Sequence, residues 1–284
     1  DYVLASSASR ETARGIRQRS HPTTRAIKLV PEIRLVRARC AAVFEYAMVP
    51  AISVGSKSKT MSERNERCPM ERIAIIGASG SIGSTLARRL VQHGRQVLLI
   101  GRSQEKLEAL SHDLGQPYAV VEMSTSASLE ETLRSDEQSN GDFSGLVNCI
   151  GSVVLKPAHV TSDEEFRQTI ETNLFTAFAT VRAGAKLLRE RGGSIVLFGS
   201  AAAEIGIQNH EAIAAAKAGV IGLGRSAAAT YAPSNIRVNV ISPGLVRTEL
   251  TRRIWENPAS AAASSSLHAL GRLGEPEQVA SLAE

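Results

Sequence analysis

From Arg72 onward the chain alternates short apolar runs with longer segments of helical spacing, six times over. RIAIIG, QVLLIG, YAVVEM, GLVNCI, SIVLFG and RVNVIS are continuously apolar, as expected for short strands covered on both faces. Between them, SIGSTLARRLVQHG, SQEKLEALSHDL, SASLEETLRSDE, DEEFRQTIETNLFTAFATVRAGAKLLRERG and HEAIAAAKAGVIGLGRSAAATYA place apolar residues at helical intervals. Such alternation predicts an α/β fold in which one parallel sheet is doubly wound. Right-handed crossovers then put ligands at the carboxyl ends of the strands.

The segment IIGASGSIG joins the first strand to the first helix, the setting in which a glycine loop binds phosphate. Gly77 permits the turn, Gly80 and Gly83 allow backbone to approach a pyrophosphate and the sheet, and Ser79, Ser81 and Ile82 bring free N–H groups to the anion. The second strand ends in LLIGRS. An acid there would accept a ribose 2′-hydroxyl and repel a 2′-phosphate; Gly101 removes the acid, and Arg102 offers a guanidinium fork to phosphate. The expected cofactor is NADP(H) rather than NAD.

The net charge of +5 does not belong to this part of the chain. Residues 1–60 carry eleven Lys or Arg against four Asp or Glu, and the remainder is close to −2. A nucleic-acid partner therefore loses its main support. Residues 1–70 show no steady period and read as an N-terminal extension, disordered, transit-like or translated upstream of Met61 or Met70. Residues 71–284 form the single NADP-binding domain. The three cysteines lack zinc-site spacing, which favours a reducing cytoplasmic setting, or an organelle if residues 1–60 are a transit peptide. The most apolar stretch, CAAVFEYAMVPAISV, is broken by Glu45 and Pro50 well short of the roughly 18 residues of a membrane span.

With these segments in place, the chain resembles the short-chain dehydrogenase/reductase family from about Glu71 to the C-terminus. The resemblance implies a Rossmann fold. In the family's Thr-Gly-x-x-x-Gly-x-Gly motif, Ile76 replaces the Thr, Gly77 and Gly83 match, and Ser81 stands at the middle Gly with Gly80 one place earlier. Glu122 occupies the position of an acid that meets the adenine amino group. VNCIG keeps Asn148 and Gly151 of the Asn-Asn-Ala-Gly segment. Asn173 matches the asparagine that holds a water for proton relay, Ser200 the serine that bonds the substrate carbonyl, and Lys217 the lysine of Tyr-x-x-x-Lys. SPGLVRTEL resembles the segment that closes over the nicotinamide, through Pro243, Gly244, Val246 and Thr248. TRRIWENPASAAASSSL lies where the family shapes its substrate pocket.

The tyrosine of that motif is Ile213, which has no exchangeable proton. General acid–base catalysis is typically worth about 10²- to 10⁴-fold. His210, three residues earlier on the same helical face, is the expected substitute, although Asn209 reads as the helix cap. The expectation is an oxidoreductase that interconverts carbonyl and alcohol groups on a small molecule with an atypical proton donor; the alternative is a catalytically silent NADP(H) sensor or assembly protein. The resemblance also implies a homodimer or homotetramer through the helices ETNLFTAFATVRAGAKLL and HEAIAAAKAGVIGLG. It further implies a seventh strand after GRLGEPEQVASLAE, which this sequence does not contain, so an uncovered sheet edge is expected.

Overall fold

The computed structural model describes residues 71–122 and 125–284; the N-terminal extension expected over residues 1–70 lies outside them. The first half contains β1 (Arg72–Ile76), α1 (Ser81–Gln92), β2 (Gln96–Gly101), α2 (Gln104–Leu114), β3 (Tyr118–Val120), α3 (Ser126–Asn140) and β4 (Gly145–Asn148). Then follow α4 (Asp163–Ile170), a π-helical turn (Glu171–Phe175), α5 (Thr176–Leu187), β5 (Gly193–Phe198), α6 (Glu211–Tyr231) and β6 (Ile236–Ile241). After β6 come α7 (Arg252–Trp255), α8 (Pro258–Ser266) and α9 (Pro276–Ala283). All strand pairs are parallel, in the order β3-β2-β1-β4-β5-β6. The order reverses between β1 and β4, and that reversal opens a crevice at the carboxyl ends of the two central strands.

The continuous apolar runs are explained by two cores, one on each face of the sheet. Leu98 and Ile100 point into one with Leu129, Leu133, Leu146, Ile195 and Leu197. Val97 and Leu99 point into the other with Ile75, Leu86, Leu90, Leu107 and Val279. Because successive side chains on a strand alternate faces, a strand buried on both sides has no polar position to spare.

Several boundaries differ from the sequence reading. The third strand is shorter than YAVVEM and stops at Val120. The long helix of residues 163–192 is interrupted by the π turn and ends at Leu187. Its start is fixed by a capping box: Glu165 N–H donates to Ser162 Oγ (3.2 Å), and Ser162 N–H donates back to Glu165 Oε2 (3.0 Å). Asn209 is not the cap of α6; it sits at φ 61°, and His210 is the capping residue.

Many small residues of α5 and α6 face the sheet, although Ala215, Ala218, Gly222 and Ala229 of α6 are exposed. A methyl group added at Gly184 would lie 2.7 Å from the Ile195 side chain, and one at Gly224 would lie 2.3 Å from that of Val240. Ala177, Ala179, Ala183 and Ala227 are buried in the core on that side. Close approach of helix to strand therefore accounts for much of the alanine and glycine content. Among the described residues, β6 is the last strand on its side of the sheet.

Candidate functional site

The glycine loop turns between the ends of β1 and β2. Gly77 and Ala78 both donate to the Ile100 carbonyl, at 2.8 and 2.9 Å, and Gly77 holds φ 84°. Gly80 caps α1 without a side-chain hydrogen bond, and Ser84 N–H is the first to bond back within the helix, to the Gly80 carbonyl at 2.8 Å. The backbone N–H groups of Ser81, Ile82 and Gly83 thus open α1 toward the crevice, as an anion requires. Ser81, at the family's middle-glycine position, does additional work: its Oγ accepts from Glu249 N–H at 3.2 Å and ties the loop to the segment after β6. Ser79 lies near the end of β2, its Oγ 3.3 Å from where a side chain at Gly101 would begin.

Arg102 is exposed at the end of β2 and makes no ion pair among the described residues. A cleft of about 460 Å³ between α1 and α2 is lined by Ser79, Ser84, Arg88, Lys106 and Asp113, with Arg88 ion-paired to Asp113. Glu122 is also exposed, and its carbonyl accepts from Ser128 Oγ at 3.2 Å.

A buried polar knot lies at the end of β4. Asn148 Oδ1 accepts from Ile150 N–H (2.9 Å) and its Nδ2 donates to Thr176 Oγ1 (3.3 Å), which shapes the turn that carries Gly151. Asn173 sits in the π turn, a distortion frequent at functional sites because it displaces a side chain from the regular helical path. Its Oδ1 accepts from Ser152 N–H (3.1 Å), while Nδ2 donates to Ser152 Oγ and the Thr169 carbonyl, each at 2.9 Å. These bonds clamp the β4 loop to the helix. A methyl at Gly151 would lie 3.4 Å from Asn173 Oδ1 and 3.8 Å from Lys217 Nζ, which brings both groups to the same loop position. Ser152 was not apparent from sequence, since a serine beyond a strand end carries no signal of its own.

Lys217 is 8% exposed, and its ammonium donates to the Phe198 carbonyl at 2.8 Å. Burial pulls its pKa from 10.5 down to about 8, against an upward pull from Cys149. Burial also pushes the Cys149 thiol up to about 12, against the neighbouring Lys217 charge. Cys149, which replaces the second Asn of the family segment, is thus part of the Lys217 environment. Unfolding returns Lys217 to water, so between pH 8 and 10.5 the unfolded chain binds more protons and this group's contribution to stability rises with pH. Cys149 acts oppositely, contributing stability that is complete below pH 9 and lost toward pH 12. Between pH 8 and 9 the lysine dominates. Urea denaturation should show stability rising by on the order of 1 kcal/mol across that interval, and Lys217→Met should abolish the rise.

Ser200 ends β5, and its Oγ accepts from Ala202 N–H at 3.2 Å. Ala201 N–H donates to the Pro243 carbonyl at 3.0 Å, which fastens the end of β5 to the segment after β6. That segment is pinned along its length. Val246 bridges to Gly274, Thr251 Oγ1 donates to the Val246 carbonyl at 2.6 Å, Thr248 N–H donates to Thr251 Oγ1 at 3.1 Å, and Trp255 Nε1 donates to the Thr248 carbonyl at 2.9 Å. Thr251, 8% exposed, is a second organising residue that sequence reasoning missed. The loop TRRIWENPASAAASSSL, whose state sequence left open, folds into α7 and α8.

Ile213 is 5% exposed on α6, one turn before Lys217. His210 is placed at the start of that helix, where its Nδ1 pairs with the Gln208 carbonyl at 2.7 Å. No described hydrogen bond joins it to Ser200, Asn173 or Lys217. Among the described residues there is no cluster of metal-ligating side chains, and no helix is long and apolar enough to cross a membrane.

A glycine loop at the β1/β4 reversal, with a buried lysine, an asparagine in a π turn and a strand-end serine at the same end of the sheet, defines a nucleotide-binding oxidoreductase architecture. The family model described as enoyl-(acyl carrier protein) reductase matches residues 77–284. The chain belongs to the short-chain dehydrogenase/reductase family of oxidoreductases, whose members bind nicotinamide cofactors. It is 31% identical to carbonyl reductase family member 4 of Xenopus laevis over 213 residues, covering 73% of this chain and 86% of that protein. It is 30% identical to D-threitol dehydrogenase of Mycolicibacterium smegmatis, covering 75% and 84% of the two chains. Among solved structures, a short-chain type dehydrogenase/reductase from Mycobacterium ulcerans superimposes with a TM-score of 0.72 at 27% identity, over 75% of this chain and 81% of that one.

Proposed function

We propose that the chain is an NADP(H)-dependent oxidoreductase that interconverts a carbonyl and an alcohol on a small molecule, with the proton handled by a group other than the side chain at 213. The observation that carries this is the convergence of Lys217 Nζ and Asn173 Oδ1 on Gly151, at the end of the sheet where α1 opens its N–H groups. The residues fit a dinucleotide: Gly77 and Gly83 let the loop and α1 pack against neighbouring backbone where a Cβ would clash, and the first turn of α1 offers donors to a pyrophosphate. Gly77, Ser79, Gly80, Ser81, Ile82 and Gly83 would hold the phosphates; Asn148, Gly151, Lys217, Pro243, Gly244, Val246 and Thr248 would surround the nicotinamide. Glu122 would meet the adenine. When bound, the cofactor supplies the hydride. Ser200 orients the substrate oxygen, and Lys217 keeps positive charge beside the reacting end.

The preference for the 2′-phosphate rests on Arg102, exposed, without an acid at the end of β2 and in no ion pair among the described residues. Arg102→Asp should weaken NADPH binding by ten- to a hundredfold and leave NADH binding equal or better, because the new carboxylate repels a phosphate and accepts a ribose hydroxyl. Fluorescence titration with both nucleotides reads this; an unchanged preference contradicts the assignment of NADP(H).

A second reading, a silent NADP(H)-binding protein, is favoured by one observation: the side chain at 213 is apolar and buried. Self-association as a homodimer or homotetramer is part of the proposal. Phe166 on α4 and Phe178 on α5 stay 43% and 45% exposed, large apolar groups on the outer side of helices whose small residues are spent on the sheet. Light scattering on the full chain checks this, and a monomer across the micromolar range contradicts it.

A further inference from the structure

Ser81 belongs to two parts of the site at once. As the first residue of α1 it follows the cap Gly80, and the earliest backbone N–H to bond within the helix is that of Ser84. The Ser81 N–H therefore has no acceptor in the helix and opens from its N-terminal end, where an anion is favoured. Its side chain reaches a segment 168 residues away, where Oγ accepts the Glu249 N–H at 3.2 Å. Among the described hydrogen bonds this is the only one between the glycine loop and the segment after β6. It occupies a lone pair of the hydroxyl, and the hydroxyl hydrogen is left to donate elsewhere. The far end is well braced. Glu249 follows Thr248, whose N–H donates to Thr251 Oγ1 at 3.1 Å, and Thr251 Oγ1 donates on to the Val246 carbonyl at 2.6 Å. The Glu249 carboxylate pairs with Arg252 at 3.0 Å, so the acid is engaged within its own segment and the backbone N–H makes the link to α1.

We propose that the Ser81 hydroxyl couples the two ends of the dinucleotide site: it donates to a pyrophosphate oxygen at α1 while it accepts from Glu249, so that phosphate binding tightens the segment carrying Thr248. This coupling rests on the dinucleotide reading above. A hydroxyl that donates to an anion makes a charge-assisted bond and becomes a better acceptor, because hydrogen bonds in a chain polarise one another. The Glu249 bond is therefore stronger with phosphate in place than without it. By linkage the effect is reciprocal, and a segment held by Glu249 slows the departure of the phosphates. Ser81 acts on the reacting end only through Glu249 and Thr248, as a positioning residue. A glycine at this position would keep the N–H and lose the tie. The pyrophosphate is the trigger, so a nucleotide that lacks the nicotinamide tightens the segment as well.

The test uses the full chain as wild type, Ser81→Ala and Ser81→Gly, two variants that remove the hydroxyl and keep the N–H. The probes are NADPH and 2′-phospho-ADP-ribose, the same nucleotide without its nicotinamide. Affinities are measured by calorimetry. Amide exchange at Glu249 and trypsin cleavage after Arg247, Arg252 and Arg253, all exposed, are then followed by mass spectrometry in free and saturated protein. In the wild type, saturation with either probe should slow both exchange and cleavage by about fivefold or more, the scale of one strengthened hydrogen bond. Both variants should bind the probes without that protection and release NADPH about fivefold faster in stopped-flow. A merely structural serine would shift free and saturated protein alike. The proposal is overturned if either variant keeps the wild-type protection, or if 2′-phospho-ADP-ribose binds the wild type without protecting Glu249. Variants that bind neither probe also overturn it, since Ser81 would then be a plain phosphate ligand. A folded wild type that binds neither probe would instead bring down the dinucleotide reading, and this coupling with it.

Discussion

Ile213→Tyr should accelerate NADPH oxidation by a carbonyl probe about 10-fold or more, less than the full 10²- to 10⁴-fold usual for supplying a positioned acid, because the wild type moves its proton by another route. Residues 213 and 217 are one turn apart on α6 and both are buried, so a phenol at 213 would share the face of the Lys217 ammonium. A nearby positive charge favours the phenolate and brings the hydroxyl into working range. The cost is volume, because replacing a well-packed isoleucine by tyrosine carries an overpacking penalty of about 1–3 kcal/mol. Ile213→Phe supplies the control, with the same bulk and no hydroxyl. It should show the stability loss and no gain in rate. Equal gains from Phe and Tyr would mean that pocket shape, rather than the rate of proton supply, limits the wild type.

The second large effect lies in the glycine loop, where two glycines in the same motif should respond in opposite ways. Gly83→Ala places a methyl 2.3 Å from the Gly77 carbonyl oxygen and 2.9 Å from Ala78 Cα. Both are backbone atoms at the junction of β1 and α1, so relief requires the helix to move off the sheet. The expected loss is about 3 kcal/mol, at the upper end of overpacking costs, together with at least tenfold weaker NADPH binding. Gly80→Ala meets the Gly77 carbonyl only at 3.4 Å and has an ordinary extended backbone, so it should be near neutral in both respects. Urea denaturation and nucleotide titration of the two variants check this. A tolerated Gly83→Ala would show that the loop does not hold helix and strand in close contact.

Much of the fold was legible because a strand buried on both faces leaves no polar position. Leu98 and Ile100 belong to one core, Val97 and Leu99 to the other, and the run QVLLIG announces this without help from structure. The glycine loop was legible for a similar reason, since Gly77 and Gly83 occupy places where backbone atoms leave no room for a Cβ. The short third strand was not, because burial weakens at the sheet edge and Val120 is already 48% exposed. The π turn escaped notice since it leaves hydrophobic spacing almost unchanged. It nevertheless decides how Asn173 is used, directing its amide to Ser152 and Thr169.

In the site, residues set by local sequence were easier to read than residues set by distant contacts. Ser200, Lys217 and the Pro243–Thr248 segment stand at recognisable spacings. Ser81 Oγ holding Glu249, Thr251 organising Thr248, and His268 lying against Gly244 join parts of the chain that no short motif links. The alanine-rich helices show the limit most clearly. Their composition fits a subunit interface and a tight helix–sheet contact equally well, and Gly184 against Ile195 accounts for the second.

The most direct test of the account is a calorimetric titration of the full wild-type chain with NADPH beside NADH. The account predicts saturable binding at one site per chain, tighter for NADPH, and weakened at least tenfold by Gly83→Ala. An absence of saturable binding by either nucleotide in a folded sample would contradict it at its base.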